Sequence, residues 1–282
     1  MPPDIFIVLM FILGLLVGSF LNVVIHRLPI MMEREWRAQC RLLLDLSDSV
    51  ENGNRATFNL ILPRSSCSHC LKPIRALDNI PVVSYLMLHG KCRNCSAQIS
   101  LQYPAVELAS AVLSAYLAWH FDSEIKTFFA MLLTWALLCL SMIDIDKRLL
   151  PDDITLSFLW LGLACNLFFI FTDPSSSLLG AMLGYSVLWL IFILFKITTG
   201  KEGMGHGDFK LLAMLGAWLG WQMLPLVILL ASLLGSMVGG CLILFRKHDH
   251  GKPIPFGPYL ALSGWIALLW GADINRIYLS FL

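Results

Sequence analysis

The sequence predicts an all-α polytopic membrane protein of about eight transmembrane helices, with one small polar domain between the first helix and the second. Three observations carry this. The chain of 282 residues is 57% hydrophobic and only 14% charged, with a mean hydropathy of +0.74. A soluble domain carries roughly a quarter charged residues. The apolar residues fall into runs of helical length bounded by polar or turn residues, and Lys and Arg collect on one side of those runs. A net charge of +1 gives no electrostatic footprint for nucleic acid, so no nucleic-acid partner is expected.

The first apolar run, 5–26, is long enough to span a bilayer. It has no basic leading segment, carries the acidic Asp4, and meets its basic residues, His26 and Arg27, only afterwards. It therefore reads as a membrane helix and not as a cleavable signal. Later runs predict helices over 104–120, 125–143, 154–171, 178–197, 209–220, 223–245 and 257–272, of which 209–220 is short for a span. The outer loops 121–124 and 172–177 are too short to hold a domain.

Orientation follows from the basic residues. Taking the stretch after the first helix as cytoplasmic puts Arg27, Arg34, Arg37, Arg41, Arg55, Arg64, Lys72, Arg75, Lys91 and Arg93 inside. Lys147, Arg148, Lys201, Arg246, Lys247 and Lys252 join them, and only Lys126 and Arg276 fall clearly outside. Both termini are then outside. The chain divides on this reading into a first helix (1–27), a cytoplasmic polar domain (28–102) and a seven-helix membrane domain (103–282).

The polar domain holds two matched pairs, Cys67-Ser68-His69-Cys70 and Cys92-Arg93-Asn94-Cys95, separated by residues 71–91. Two such knuckles supply four thiolates for one tetrahedral zinc, so the domain is predicted to be zinc-ribbon-like. Four protein ligands leave no open position, which makes the metal structural. Disulfides are disfavoured by the cytoplasmic assignment, and a redox pair would not need a second copy. Lys72, Lys91 and Arg93 are placed to offset the excess charge of a tetrathiolate, and His69 reads as a surface neighbour of the metal. Cys139, Cys165 and Cys241 lie in apolar runs as small packing residues, and Cys40 stands alone.

Asp144 closes the apolar run that ends at Ile143, and Asp208 ends the loop Gly203-Met204-Gly205-His206-Gly207-Asp208. Both land on the inner side by a charge count that did not use them. A carboxylate at a bilayer boundary carries a desolvation cost of a few kcal/mol. Two on one side can share a proton and activate a water, which points to an intramembrane aspartyl peptidase. The competing acids have plainer readings: Asp152 and Asp153 as helix N-caps after Pro151, Asp146 as a partner of Lys147. Asp208 has one too, as an N-cap for a helix beginning at Phe209. Gly205 and Gly207 argue for more, because they clear side chains from a strip along which an extended substrate can approach. A phosphate-binding loop is disfavoured, since no strand precedes the strip and its charge is an acid. The third inner loop, Pro253-Ile254-Pro255-Phe256-Gly257-Pro258, is either a rigid helix entry or a wall of the site mouth. An ion-coupled carrier would hold its acids nearer the membrane midplane. A zinc-bearing adaptor would leave both aspartates idle, and a presenilin-type peptidase would not need the cysteines.

Together these stretches resemble the bacterial type IV prepilin peptidase family, also called leader peptidase/N-methyltransferase, a group of glycine–any–glycine–aspartate peptidases. The likeness covers nearly the whole chain. It is carried by Gly18-Ser19-Phe20-Leu21-Asn22 through His26-Arg27-Leu28-Pro29, the paired knuckles, Asn79-Ile80-Pro81-Val82-Val83-Ser84-Tyr85 and Tyr103-Pro104-Ala105-Val106-Glu107. Ile143-Asp144, Leu150-Pro151-Asp152, Gly205-His206-Gly207-Asp208-Phe209-Lys210 and Pro253 through Tyr259 complete it. The resemblance implies a bacterial inner-membrane enzyme, which makes the termini that the charge count puts outside periplasmic. It would cut leaders from type IV prepilins and type II secretion pseudopilins on the cytoplasmic side, with Asp144 and Asp208 catalytic. It further implies N-methylation of the new N-terminal residue, usually Phe, with S-adenosylmethionine; the alternative is a peptidase whose zinc domain is purely structural. Gly205, Gly207 and Glu107 are substrate-site candidates, and Gly90 stands beside Glu107 as a place to look for the methyl donor. No βαβ unit for a nucleotide is visible, and 28–102 is too small for a full Rossmann domain.

Overall fold

The computed structural model describes residues 2–44, 58–67, 69–201, 203–244 and 255–280. Among these residues the architecture is helical throughout: α1 (Pro3–Leu43), α2 (Val83–Met87), α3 (Gln102–His120), α4 (Glu124–Lys147), α5 (Asp152–Asn166), α6 (Pro174–Thr199), α7 (His206–Leu219), α8 (Leu224–Leu244) and α9 (Gly257–Ser280). Among the described residues, four helical segments are long and apolar enough to cross a membrane: Pro3–Leu43, Glu124–Lys147, Pro174–Thr199 and Trp221–Leu242. Arg55, Arg246, Lys247 and Lys252, used for orientation, lie outside the described residues, as do Ser68, Pro253 and Ile254.

The chain forms two compact units, Met1–Trp119 and His120–Leu282. In the first unit α1 does not stop where its apolar run does. It continues through Pro29 to Leu43, 41 residues in all, and its far half presents charge, with Arg37 and Glu33 paired one turn apart at 2.5 Å. At 1.5 Å per residue this is about twice the thickness of a bilayer core. Gly14 and Gly18 let α1 meet α3 backbone to backbone. A Cβ on Gly14 would stand 2.7 Å from Ala111 Cα, and one on Gly18 2.7 Å from Glu107 Cα. Ser110 Oγ donates to the carbonyl of Gly14 at 2.7 Å across this seam. Small residues four apart are how helices approach closely where no water drives them together. The buried Arg27 then donates to the carbonyls of Asn59 (2.9 Å) and Pro63 (2.6 Å), tying the start of the cysteine segment to α1.

In the second unit α7 is the centre. From Asp208 to Trp218 all but Lys210 are buried. Glycines on three neighbours make room for it: Gly180 and Gly184 on α6, Gly162 on α5 against Trp218, and Gly264 on α9 against Leu215. The closest approach is Gly180 to Gly216, where an added Cβ on either would stand under 2.3 Å from the other's carbonyl oxygen. This explains why α7 has only 14 residues: its backbone polar groups are enclosed by protein and not by lipid. At one end of the unit Asn166 fastens the packing. Its amide nitrogen donates to the carbonyls of Ala217 (2.8 Å) and Trp218 (3.0 Å), and its oxygen accepts the N–H groups of Phe171 (3.1 Å) and Thr172 (3.2 Å). That clamp ends α5 at Asn166, short of the 171 that the apolar run predicts.

Candidate active site and metal centre

At the other end of the second unit the chain gathers its acids. Asp144 lies in the last turn of α4, closed by Arg148 in the left-handed conformation (φ 54°), whose N–H donates to the Asp144 carbonyl at 2.9 Å. Asp208 lies in the first turn of α7. Both are buried, each 6% exposed, although each ends a helix, and the charge of Asp144 bears on Asp208. Leu150 sits between their two loops. A Cβ on Gly207 would stand 2.8 Å from Leu150 Cβ, and one on Gly257 would stand 3.3 Å from Leu150 Cδ2. The arrangement therefore brings the ends of α4, α5, α7 and α9 around one spot.

The plainer readings of the acids are revised here. α7 begins at His206 with Gly205 as its cap, so Asp208 is not the N-cap of a helix starting at Phe209. Its carboxylate reaches back to the Gly205 amide, the carboxylate half of a capping box. Asp152 is not an N-cap either: Pro151 holds that place, and both oxygens of Asp152 lie 2.7 Å from Lys210 Nζ. Gly205 is exposed and Gly207 half-buried, so the strip beside Asp208 is open on the side of Gly205. Asp144 has a partner that sequence reasoning missed. Its Oδ2 accepts the backbone N–H of Gly257 at 3.0 Å. The only signal was the Pro-Phe-Gly-Pro run itself.

The cysteines form a second centre. The ligand atoms of Cys67, Cys70, Cys92 and Cys95 all lie within 4.8 Å of one another, and Cys67 Sγ stands 3.7 Å from Cys95 Sγ. A tetrahedron with Zn–S bonds of about 2.3 Å has edges of about 3.8 Å, so the spacing fits zinc. The two knuckles share one construction. Cys67 donates to Lys72 O and Leu71 to Cys67 O; Cys92 donates to Ala97 O and Ser96 to Cys92 O. Leu71 (φ 56°) and Ser96 (φ 57°) both take the left-handed conformation that turns the chain after each pair. The amides of Cys70 and His69 hold the Cys67 thiol down to about 6. Cys95 is pushed up to about 11: the Ala97 amide lowers it, but desolvation and the three other sulfurs outweigh that. Four sulfurs so crowded need a cation to ionise together. His69 is exposed and outside the cluster. Arg93 is spent elsewhere, gripping Asp78 at 2.6–3.0 Å, so it is not the free counter-charge that its position suggests.

Glu107 is also committed. It is buried on α3, and its carboxylate accepts the Val82 N–H at 2.8 Å together with the Ser19 hydroxyl. Val82, a β-branched residue, is held at φ 59°, a conformation that costs on the order of 1–3 kcal/mol. Gly90 (φ 69°) lies under the Tyr85 ring. Among the described residues there is no strand, only the bridges Ser66–Pro73 and Lys91–Gln98, and so no βαβ cradle for a nucleoside.

Two family models match the chain. Residues 12–121 match the bacterial peptidase A24 N-terminal domain, and residues 131–240 match the type IV leader peptidase family. The prepilin leader peptidase/N-methyltransferase of Stutzerimonas stutzeri is 55% identical over 279 residues, 99% of this chain and 96% of the relative. Its counterpart in Pseudomonas aeruginosa is 56% identical over 279 residues (99% and 95%), and that of Legionella pneumophila 42% identical over 268 (95% and 92%). No solved structure matches.

Proposed function

The chain belongs to the type IV leader peptidase family, and from that premise we propose how its residues divide the work of a prepilin leader peptidase/N-methyltransferase. It is an integral membrane enzyme with a peptidase and a methyltransferase activity. The peptidase centre is the pair Asp144 and Asp208. The observation that carries this is their burial at the ends of α4 and α7, whose neighbouring glycines both pack on Leu150, with the charge of Asp144 acting on Asp208.

Hydrolysis then needs no covalent intermediate. One aspartate, ionised, takes a proton from a water as its oxygen attacks the scissile carbonyl. The other, protonated, gives its proton to the carbonyl oxygen; the tetrahedral species collapses, the C–N bond breaks, and the amine leaves with a proton returned from the pair. Two such carboxylates titrate as a unit, so the two macroscopic steps belong to the pair. Gly205 leaves the approach to Asp208 open for an extended chain, on the cytoplasmic face of the inner membrane, while Gly207 lets Leu150 pack close beside it. The substrates are prepilins and pseudopilins, whose apolar stretch lies in the bilayer. Eight spans with periplasmic termini fit this orientation.

Cys67, Cys70, Cys92 and Cys95 would hold a structural zinc that supplies rigidity to residues 58–102. Methylation of the new N-terminal residue, usually Phe, requires its amine neutral, and S-adenosylmethionine supplies the methyl group. Glu107 and Gly90 are both engaged inside the first unit, so the donor's seat is not assigned to them. Replacing Asp144 or Asp208 by Ala should abolish prepilin cleavage in membranes that still contain the inserted protein. Retained cleavage by either variant overturns the assignment.

A further inference from the structure

The start of α9 holds one unspent backbone donor, and it is aimed at Asp144. The first amides of a helix have no partner within it. In α9 Pro258 has no N–H, and Tyr259 and Leu260 both donate to the Phe256 carbonyl, at 3.1 and 3.2 Å. That leaves Gly257, whose N–H meets Asp144 Oδ2 at 3.0 Å in a buried contact across 113 residues of sequence. Glycine at this position lets the carboxylate come that close. A Cβ at 257 would stand 2.6 Å from Oδ2 of Asp144, closer than real Cβ atoms come, and 3.2 Å from its Cγ, so the carboxylate would have to shift.

We propose that Gly257 is a positioning residue of the aspartate pair: its N–H, fixed by the entry of α9, holds Oδ2 of Asp144 and leaves Oδ1 as the oxygen free to act. This rests on the two-aspartate reading above and extends the peptidase centre to a third loop. The carboxylate of Asp144 sits on the last turn of α4, where a free side chain has several rotamers open to it. A single amide at hydrogen-bond distance, aligned with the positive end of a 24-residue helix, selects one of them. Leu150 borders the same spot: a Cβ on Gly257 would stand 3.3 Å from Leu150 Cδ2 as well.

The test uses the full-length, detergent-solubilised enzyme and a full-length prepilin. Gly257→Ala keeps the N–H but displaces the carboxylate, and a displacement of about 1 Å at a reacting group costs on the order of 100-fold in rate. The proposal predicts a fall in kcat of at least about 10-fold, with KM changed by less than about 3-fold. Gly257→Ala combined with Leu150→Ala relieves the contact with Leu150 but not that with Asp144, so kcat should stay low. A Gly257→Ala enzyme at the wild-type rate, or recovery in the double variant, overturns the proposal.

A second measurement does not depend on any Gly257 variant. Asp144→Asn retains an oxygen for the Gly257 N–H, whereas Asp144→Ala leaves that buried donor unmet. The expected result is a wild-type unfolding temperature for Asp144→Asn and one several degrees lower for Asp144→Ala; equal temperatures overturn the contact. The two ideas fail separately. Cleavage by Asp144→Asn would sink the two-aspartate reading, while an inert Asp144→Asn beside a fully active Gly257→Ala would sink only the role of Gly257.

Discussion

Single side chains in this protein do several jobs at helix ends, where the backbone has unpaired groups to offer. Asn166 is the clearest structural case, because one amide serves two carbonyls and two N–H groups at once. Asn166→Ala strands buried groups that each cost about 1–3 kcal/mol when unmet. A loss of at least about 3 kcal/mol of stability is expected, measured by unfolding in detergent, with no change in the chemistry of the aspartates at the opposite end. The Lys210–Asp152 pair should matter far less. Its members are 29% and 53% exposed, and such pairs are worth about 0–1 kcal/mol. Asp152→Asn is therefore expected to unfold within a few degrees of the parent; a larger drop would give that pair a weight the geometry does not.

At the level of elements, glycines set the helix contacts, and this is where sequence and structure part. Apolar runs and loop residues place α3, α4, α6, α8 and the start of α9 to within a few residues, because span length is dictated by hydropathy. They do not show that α1 runs on to Leu43, since a charged helix beyond the membrane has no apolar signature. Nor do they give the reason for a short α7, which depends on Gly162, Gly180, Gly184 and Gly264 meeting it from three helices. The same limit applied to the site. Asp144 and Asp208 were legible as acids at helix ends, and the cysteines as ligand pairs by their spacing. The Gly257 amide was marked only by the Pro-Phe-Gly-Pro run, because a backbone donor has no residue type of its own. Gly216→Ala puts a Cβ 2.1 Å from the Gly180 carbonyl oxygen and must push α6 from α7. A cost of about 1–3 kcal/mol is expected, as for other overpacked sites. Gly240→Ala, whose Cβ meets nothing within 4 Å, serves as the neutral control. Equal stability of the two would contradict the close-packed seam.

Taken as a whole, the molecule has two compact units, with four clustered sulfurs in one and the buried pair Asp144 and Asp208 in the other. Single Cys→Ser changes at 67, 70, 92 or 95 are expected to lower bound zinc and to loosen residues 58–102, and to reduce methylation more than cleavage. Metal analysis beside both assays checks this; protein free of metal yet fully active in both reactions would refute it. The most direct test of the central claim is one variant, Asp208→Asn, assayed for both activities in the same membranes. The substitution keeps the shape of the side chain and removes one ionisable group, so cleavage of full-length prepilin should fall by on the order of 10³-fold. Methylation of a pre-cleaved pilin N-terminus should persist, because it needs a neutral amine and an aligned donor but no second carboxylate. Cleavage at the wild-type rate would contradict the two-aspartate mechanism, and loss of methylation as complete as the loss of cleavage would contradict the separation of the two sites.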